Sequence, residues 1–241
     1  MTKLLDEGIT LYSQKKYSDA LQFFKSILPQ EASALSLELA YYIGFCYVRL
    51  NQPDEAMSYL EHFVTNSMNE QRVNQCRLVL AVIYSQTGRV SLADFELQKL
   101  LENGCQTVNV LSALGYSAWI QDKNNEAAEW YEKALQIDPE NPTALNGFGY
   151  VLASGGKDLT RALSMCKKAL DIIPEYPAYL DSMAWIYYKL GLLKEAKQYI
   201  KKAKKKNPSN DEIANHYRVI YEQMSDNRNA AGTRAAAGGK D

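Results

Sequence analysis

Proline breaks recur through the C-terminal half of this chain at a nearly fixed spacing: Asp138-Pro139, Pro174-Glu175 and Asn207-Pro208 put prolines at 139, 174 and 208. A break that returns every 34–35 residues means a repeated structural unit, and periods of this size belong to solenoids and arrays. Small residues keep the same beat along the whole chain. Ala20, Ala56, Ala93, Ala127, Ala162 and Ala196 are separated by 36, 37, 34, 35 and 34 residues. Twelve or thirteen residues before each lies a second small residue: Gly8, Gly44, Ala81, Gly115, Gly149 and Ala184. Antiparallel helices approach closely only where side chains nearly vanish. Each period therefore predicts a helix, a tight turn and a second helix. The turns fall on breakers or polar residues, from Gln14-Lys15-Lys16 and Asn51-Gln52-Pro53 to Gly155-Gly156-Lys157 and Leu190-Gly191.

The period also carries a motif. Residues 108–141 carry it as Leu111, Leu114, Gly115, Ala127, Tyr131, Ala134 and Pro139, and residues 177–210 as Leu180, Ala184, Tyr187, Gly191, Ala196, Ala203 and Pro208. In these residues the chain resembles the tetratricopeptide repeat (TPR) family. The resemblance implies an all-α, right-handed superhelical solenoid of six helix-turn-helix repeats plus a C-terminal capping helix. The repeats are expected at 1–34, 37–70, 74–107, 108–141, 142–176 and 177–210. The cap is expected at 210–225, where Ile213, Tyr217, Ile220 and Met224 recur at helical spacing. The first three repeats are degenerate, with Ile27, Phe63 and Leu100 in place of the late alanine and Ala32, Met68 and Cys105 in place of the closing proline. Residues 226–241 are rich in Gly and Ala without a bulky apolar side chain and predict a disordered tail. Repeats 4–6 further resemble those of bacterial TPR adaptor proteins.

A net charge of −1, with 23% charged residues, argues against nucleic acid as a partner. Cys46, Cys76, Cys105 and Cys166 show no paired spacing and are expected to be reduced and structural. His62 and His216, the only histidines, read as surface or groove-edge residues without a partner, so no metal site is expected. Gly147-Phe148-Gly149 lacks the third glycine of a dinucleotide loop, and Gly155-Gly156-Lys157-Asp158 lacks the frame of a phosphate loop. No catalytic constellation and no cofactor are expected. Without an apolar span or a leader-like N-terminus the expected compartment is the cytoplasm, a periplasmic or anchored location requiring a signal since removed.

Function is therefore sought on a surface. Tyr outnumbers Phe by 17 to 6, and the helical phase places many aromatics on the concave face of the first helices. Tyr41, Phe45, Tyr116, Trp119, Asn146, Tyr150, Asp181, Trp185, Tyr188, Arg218 and Tyr221 form the expected peptide-binding face. Asn146 and Asp181 stand where they would bond a ligand's amides. A lysine run, with Lys197, Lys201, Lys204 and Lys205 outward, offers a second surface for an acidic partner, or is a solvated face at a helix C-terminus. The expected function is a non-enzymatic adaptor for a protein or peptide partner. The alternatives are a self-associating scaffold that dimerises through an apolar Phe63, Leu97 and Leu100 surface, or an accessory subunit of an enzyme on another chain.

Overall fold

The computed structural model describes residues 3–237 apart from 28–35. The end of the first expected repeat and Ala32 thus lie outside the described residues. Thirteen helices are described, with no strand among the described residues. They are α1 (Lys3–Ser13), α2 (Tyr17–Ser26), α3 (Ser36–Arg49), α4 (Pro53–Asn66), α5 (Glu70–Gln86), α6 (Val90–Glu102) and α7 (Val108–Ile120). Then follow α8 (Asn124–Ile137), α9 (Pro142–Ser154), α10 (Leu159–Ile172), α11 (Pro177–Lys189), α12 (Leu193–Lys206) and α13 (Asp211–Ala237). The chain is an all-α helical-repeat solenoid. Its contacts divide into two compact units, 1–117 and 118–241.

The turn inside each helix pair is built the same way six times. One residue takes the left-handed conformation: Lys15, Asn51, Gly88, Asp122, Gly156 or Gly191, with φ between 57° and 75°. The next amide reaches back across the turn to a carbonyl five residues earlier: Lys16 to Leu11, Gln52 to Tyr47, Arg89 to Tyr84, Lys123 to Ala118, Lys157 to Leu152 and Leu192 to Tyr187, at 2.8–3.0 Å. This 6→1 bond closes the first helix while the chain reverses. The sequence needs glycine or a residue that tolerates left-handed φ there, and Lys15 is the least suited of the six. Relief of left-handed strain, about 1 kcal/mol, outweighs the added chain entropy of a glycine, about 0.5 kcal/mol. Lys15→Gly is therefore expected to raise the urea midpoint slightly, by about 0.5 kcal/mol of stability.

The second helix starts under that turn, and its alanine is the first tightly packed residue. Ala20, Ala56, Ala93, Ala127, Ala162 and Ala196 are all at 0% exposure. Their amides bond back to the turn, as in Ala56 to the Gln52 carbonyl at 3.1 Å and Ala162 to the Asp158 carbonyl at 2.9 Å. The upstream small residue faces the next turn of the partner helix. A Cβ on Gly44 would lie 2.7 Å from Leu60, and one on Gly149 would lie 2.6 Å from Cys166 Sγ and 2.9 Å from the Ala162 carbonyl. Breaks between pairs have their own chemistry. Asn141 accepts from the Ala144 amide at 3.1 Å, and Pro142 occupies the first turn of α9, where no amide is missed. Asn210 caps α13 by accepting from the Ile213 amide at 2.9 Å.

Three expectations are corrected by the fold. Phe63, Leu97 and Leu100 are each at 1% exposure, inside unit 1, and offer no apolar dimerisation surface. They fall four or seven residues after the packed alanine of their own helix, which keeps them on its inward stripe. Helix α13 continues to Ala237 where a disordered tail is expected from 226, because the alanines of that segment are the strongest helix formers. Residues 238–241 lie outside the described residues. His216 is the third correction, taken up below.

All four cysteines are free thiols. Burial pushes Cys46, Cys76 and Cys166 up to about 12, so almost no thiolate forms at pH 8. Cys105 is half-buried, its sulfur taking a 3.1 Å bond from Asn74 Nδ2. Native alkylation at pH 8 is expected to modify Cys105 alone, with the other three reacting only after denaturation, as a mass-spectrometric count of labels would show.

Candidate functional site

In unit 2 the repeat phase aligns α9, α11 and α13 so that side chains one period apart share a face. Asp181 on α11 and His216 on α13 are 35 residues apart, and Asp181 Oδ2 lies 2.9 Å from His216 Nδ1. Both are buried, at 4% and 5% exposure. His216 is thus neither on the surface nor at a groove edge. It is the partner that burial of Asp181 demands, since a lone carboxylate in an apolar setting is costly. The indole of Trp185 stacks on the His216 ring, 4.3 Å between centroids at 17°, and Tyr188 stacks on Trp185 at 5.1 Å.

Tyr150 links α9 to this cluster. Its hydroxyl donates to Glu212 Oε1 at 2.9 Å and lies 3.4 Å from His216 Nε2. Burial is the main reason the Tyr150 phenol is held far above its ordinary range, with the Glu212 carboxylate adding to it. Glu212 has much of its side chain in solvent, yet its carboxyl sits under Tyr150 and is pushed above the usual carboxylate range by burial and by Asp181. Trp119 meets the Tyr150 ring edge-on at 5.2 Å. Four buried polar atoms of unit 2 have no hydrogen-bond partner: Asn146 Oδ1, Asp181 Oδ1, Trp185 Nε1 and the Tyr221 hydroxyl. Such orphans are uncommon in folded proteins.

The remaining expected residues divide by unit. Within unit 1, Tyr41 is used internally: its hydroxyl donates to Gln75 Oε1 at 2.7 Å and its ring meets Phe45 at 4.7 Å and Phe63 at 5.2 Å. Arg72 lies 4.8 Å over that ring while pairing with Glu38 at 2.6 Å. Burial lifts the Tyr41 phenol to about 12. Tyr116 is half-buried near the end of the same unit. In unit 2, Tyr221 stacks on Tyr217 at 4.3 Å with the Lys197 ammonium 5.1 Å from its ring. Arg218 is exposed and bonds Glu222 and Asn215 on its own helix. Of the outward lysines, Lys204 Nζ donates to the Pro208 carbonyl at 2.6 Å, and Lys201 and Lys205 are exposed. Lys206 pairs with Glu175.

Two members of the cluster, Glu212 and His216, are not foreseen. Their signal is present: four residues apart on one helix they share a face, and His216 repeats the phase of Asn146 and Asp181.

Helix pairs stacked with a common turn, a packed alanine and an aromatic first-helix face define a helical-repeat protein of a fold that generally mediates protein–protein interaction and is generally non-catalytic. The chain belongs to the tetratricopeptide repeat family: residues 2–182 match the model for the tetratricopeptide repeat protein 21 C-terminal ARM domain, and residues 152–216 match a tetratricopeptide repeat model. A TPR repeat-containing protein of Pseudomonas aeruginosa is 30% identical over 173 residues, 70% of this chain and 28% of that protein. The tetratricopeptide repeat protein 21 homolog of Caenorhabditis briggsae is 26% identical over 65% of this chain and 12% of its own length. The chain thus spans less than a third of the length of these relatives. Among solved structures, a thermophilic TPR protein of Thermus thermophilus superposes with a TM-score of 0.63 at 17% identity, covering 77% of this chain and 98% of that one. A TPR protein of Parabacteroides merdae gives 0.69 at 15% identity, covering 90% and 83%. No helix among the described residues is long and apolar enough to cross a membrane.

Proposed function

We propose that this chain is a non-enzymatic interaction module and that unit 2 holds a peptide segment of a partner protein on the face lined by Trp119, Asn146, Tyr150, Trp185, Tyr188 and Tyr221. One observation carries the reading. Half-buried aromatics stand beside buried acceptor and donor atoms that the protein leaves unpaired, Asn146 Oδ1, Trp185 Nε1 and the Tyr221 hydroxyl among them. A peptide main chain supplies both donors and acceptors, and rigid Tyr and Trp rings give it contact area at low entropic cost. Asp181 takes a different part from the one its position suggests. It orients His216 from beneath the face, and Asn146 is left as the amide-bonding residue of the pair.

The lysine helix α12 remains a second surface suited to an acidic partner. The scaffold alternative has lost the apolar residues first assigned to it. In a capture experiment, bound protein is expected to fall at least tenfold for Trp119→Ala/Tyr188→Ala relative to wild type, with both chains showing the same helical circular dichroism. This pair is preferred because Tyr150 is tied into the Glu212 and His216 network, so its loss would mix folding with binding. Equal capture by both chains would remove the aromatic face as the site.

A further inference from the structure

We propose that Asp181, Glu212 and His216 form a binding site for one divalent transition-metal ion of the zinc type where α11 meets α13. One donor atom from each lies within 4.8 Å of the others, a reach that a shared ion can close. Metal–ligand bonds of about 2.1 Å in a tetrahedron place donors about 3.4 Å apart, so a pair at the 4.8 Å limit must draw in by about 1.4 Å while the 2.9 Å Asp181–His216 pair opens by about 0.5 Å. Glu212, with much of its side chain in solvent, can supply that movement and gives an ion a way in. One imidazole with two carboxylates suits zinc, cobalt or manganese better than calcium or magnesium, which favour oxygen alone.

The second observation is independent of the cluster's composition. Asp181 Oδ1 is buried and has no partner, although Oδ2 holds His216. Neither carboxylate is paired with a lysine or arginine among the described residues; His216 is the one ion-pair partner Asp181 has. Two carboxylates and one imidazole in a small volume call for a compact positive charge. A metal ion replaces the proton that His216 Nδ1 shares with Asp181 Oδ2, and that proton leaves to solvent. The supports expected around a metal ligand are in place: the Tyr150 hydroxyl orients Glu212 from 2.9 Å, and Trp185 fixes the imidazole plane at 4.3 Å. Three protein donors leave a fourth position for water.

The test needs no partner protein, so its outcome is separate from that of peptide binding. The full chain, in a Cys105→Ser background to remove the accessible thiol, is stripped with a chelator and titrated with zinc by calorimetry. Cobalt absorption reports the geometry. One zinc per chain at micromolar affinity or tighter is expected, weakened at least tenfold by Glu212→Gln and by Asp181→Asn. Glu212 is exposed and glutamine can still accept from Tyr150, so this variant keeps the test decisive should Asp181→Asn unfold. Wild-type affinity in Glu212→Gln, or no binding below about 1 mM zinc, would overturn the site.

Discussion

His216→Ala is expected to lower the unfolding free energy by about 3 kcal/mol or more, measured in urea with chelator present. The loss comes from what stays behind. Asp181 is at 4% exposure with Oδ1 already unpaired, and removing the imidazole strands Oδ2 as well. A buried carboxylate with no partner is among the costliest single defects a core can carry. Trp185 also loses the ring stacked on it at 4.3 Å. If the defect is the stranded charge, removing it should help. Asp181→Ala/His216→Ala is expected to be more stable than the sum of the two single losses by over 1 kcal/mol. Strict additivity would mean that the two side chains contribute separately and that their 2.9 Å contact carries no coupling.

The second large effect is steric. Gly149→Val is expected to cost about 3 kcal/mol, seen as a lower denaturation midpoint with an unchanged slope. Of the two atoms a new Cβ would overlap, Cys166 Sγ at 2.6 Å belongs to a side chain and the Ala162 oxygen at 2.9 Å to the backbone of α10. Cys166→Ala in the same chain should therefore recover only part of the loss. The carbonyl cannot move without shifting the start of α10, which is fixed by the Ala162 amide on Asp158 and the Lys157 amide on Leu152.

Much of the fold was legible because its rules are local and repeat. Breaks, turn residues and paired small sites each follow from a few neighbours, and six copies make an accidental match implausible. What stayed hidden depends on distant partners. His216 looked partnerless because no residue near it in sequence completes it; the 35-residue offset to Asp181 is visible only once the phase is extended past the sixth repeat into α13. Asp181 has the phase of a residue that bonds a ligand's amides, whereas its burial depends on that same histidine. Phe63, Leu97 and Leu100 suggest an apolar surface when taken apart from their helices, although Ala56 and Ala93 fix their place on the inward stripe. The alanine-rich end lacks bulk, but its helix propensity is the stronger signal.

The three rungs Asn146, Asp181 and His216 occupy one phase in the alternate helices α9, α11 and α13, yet they differ in kind: a neutral amide, a carboxylate and an imidazole. A face made of identical rungs would let a bound chain slip by one repeat at no cost, as a bolt slides along an even rack. Unequal rungs remove that degeneracy. Asp181 and His216 are spent on each other at depth, so an elongated ligand laid along this face would find the half-buried Asn146 amide at one step only, and would have one register in which to use it.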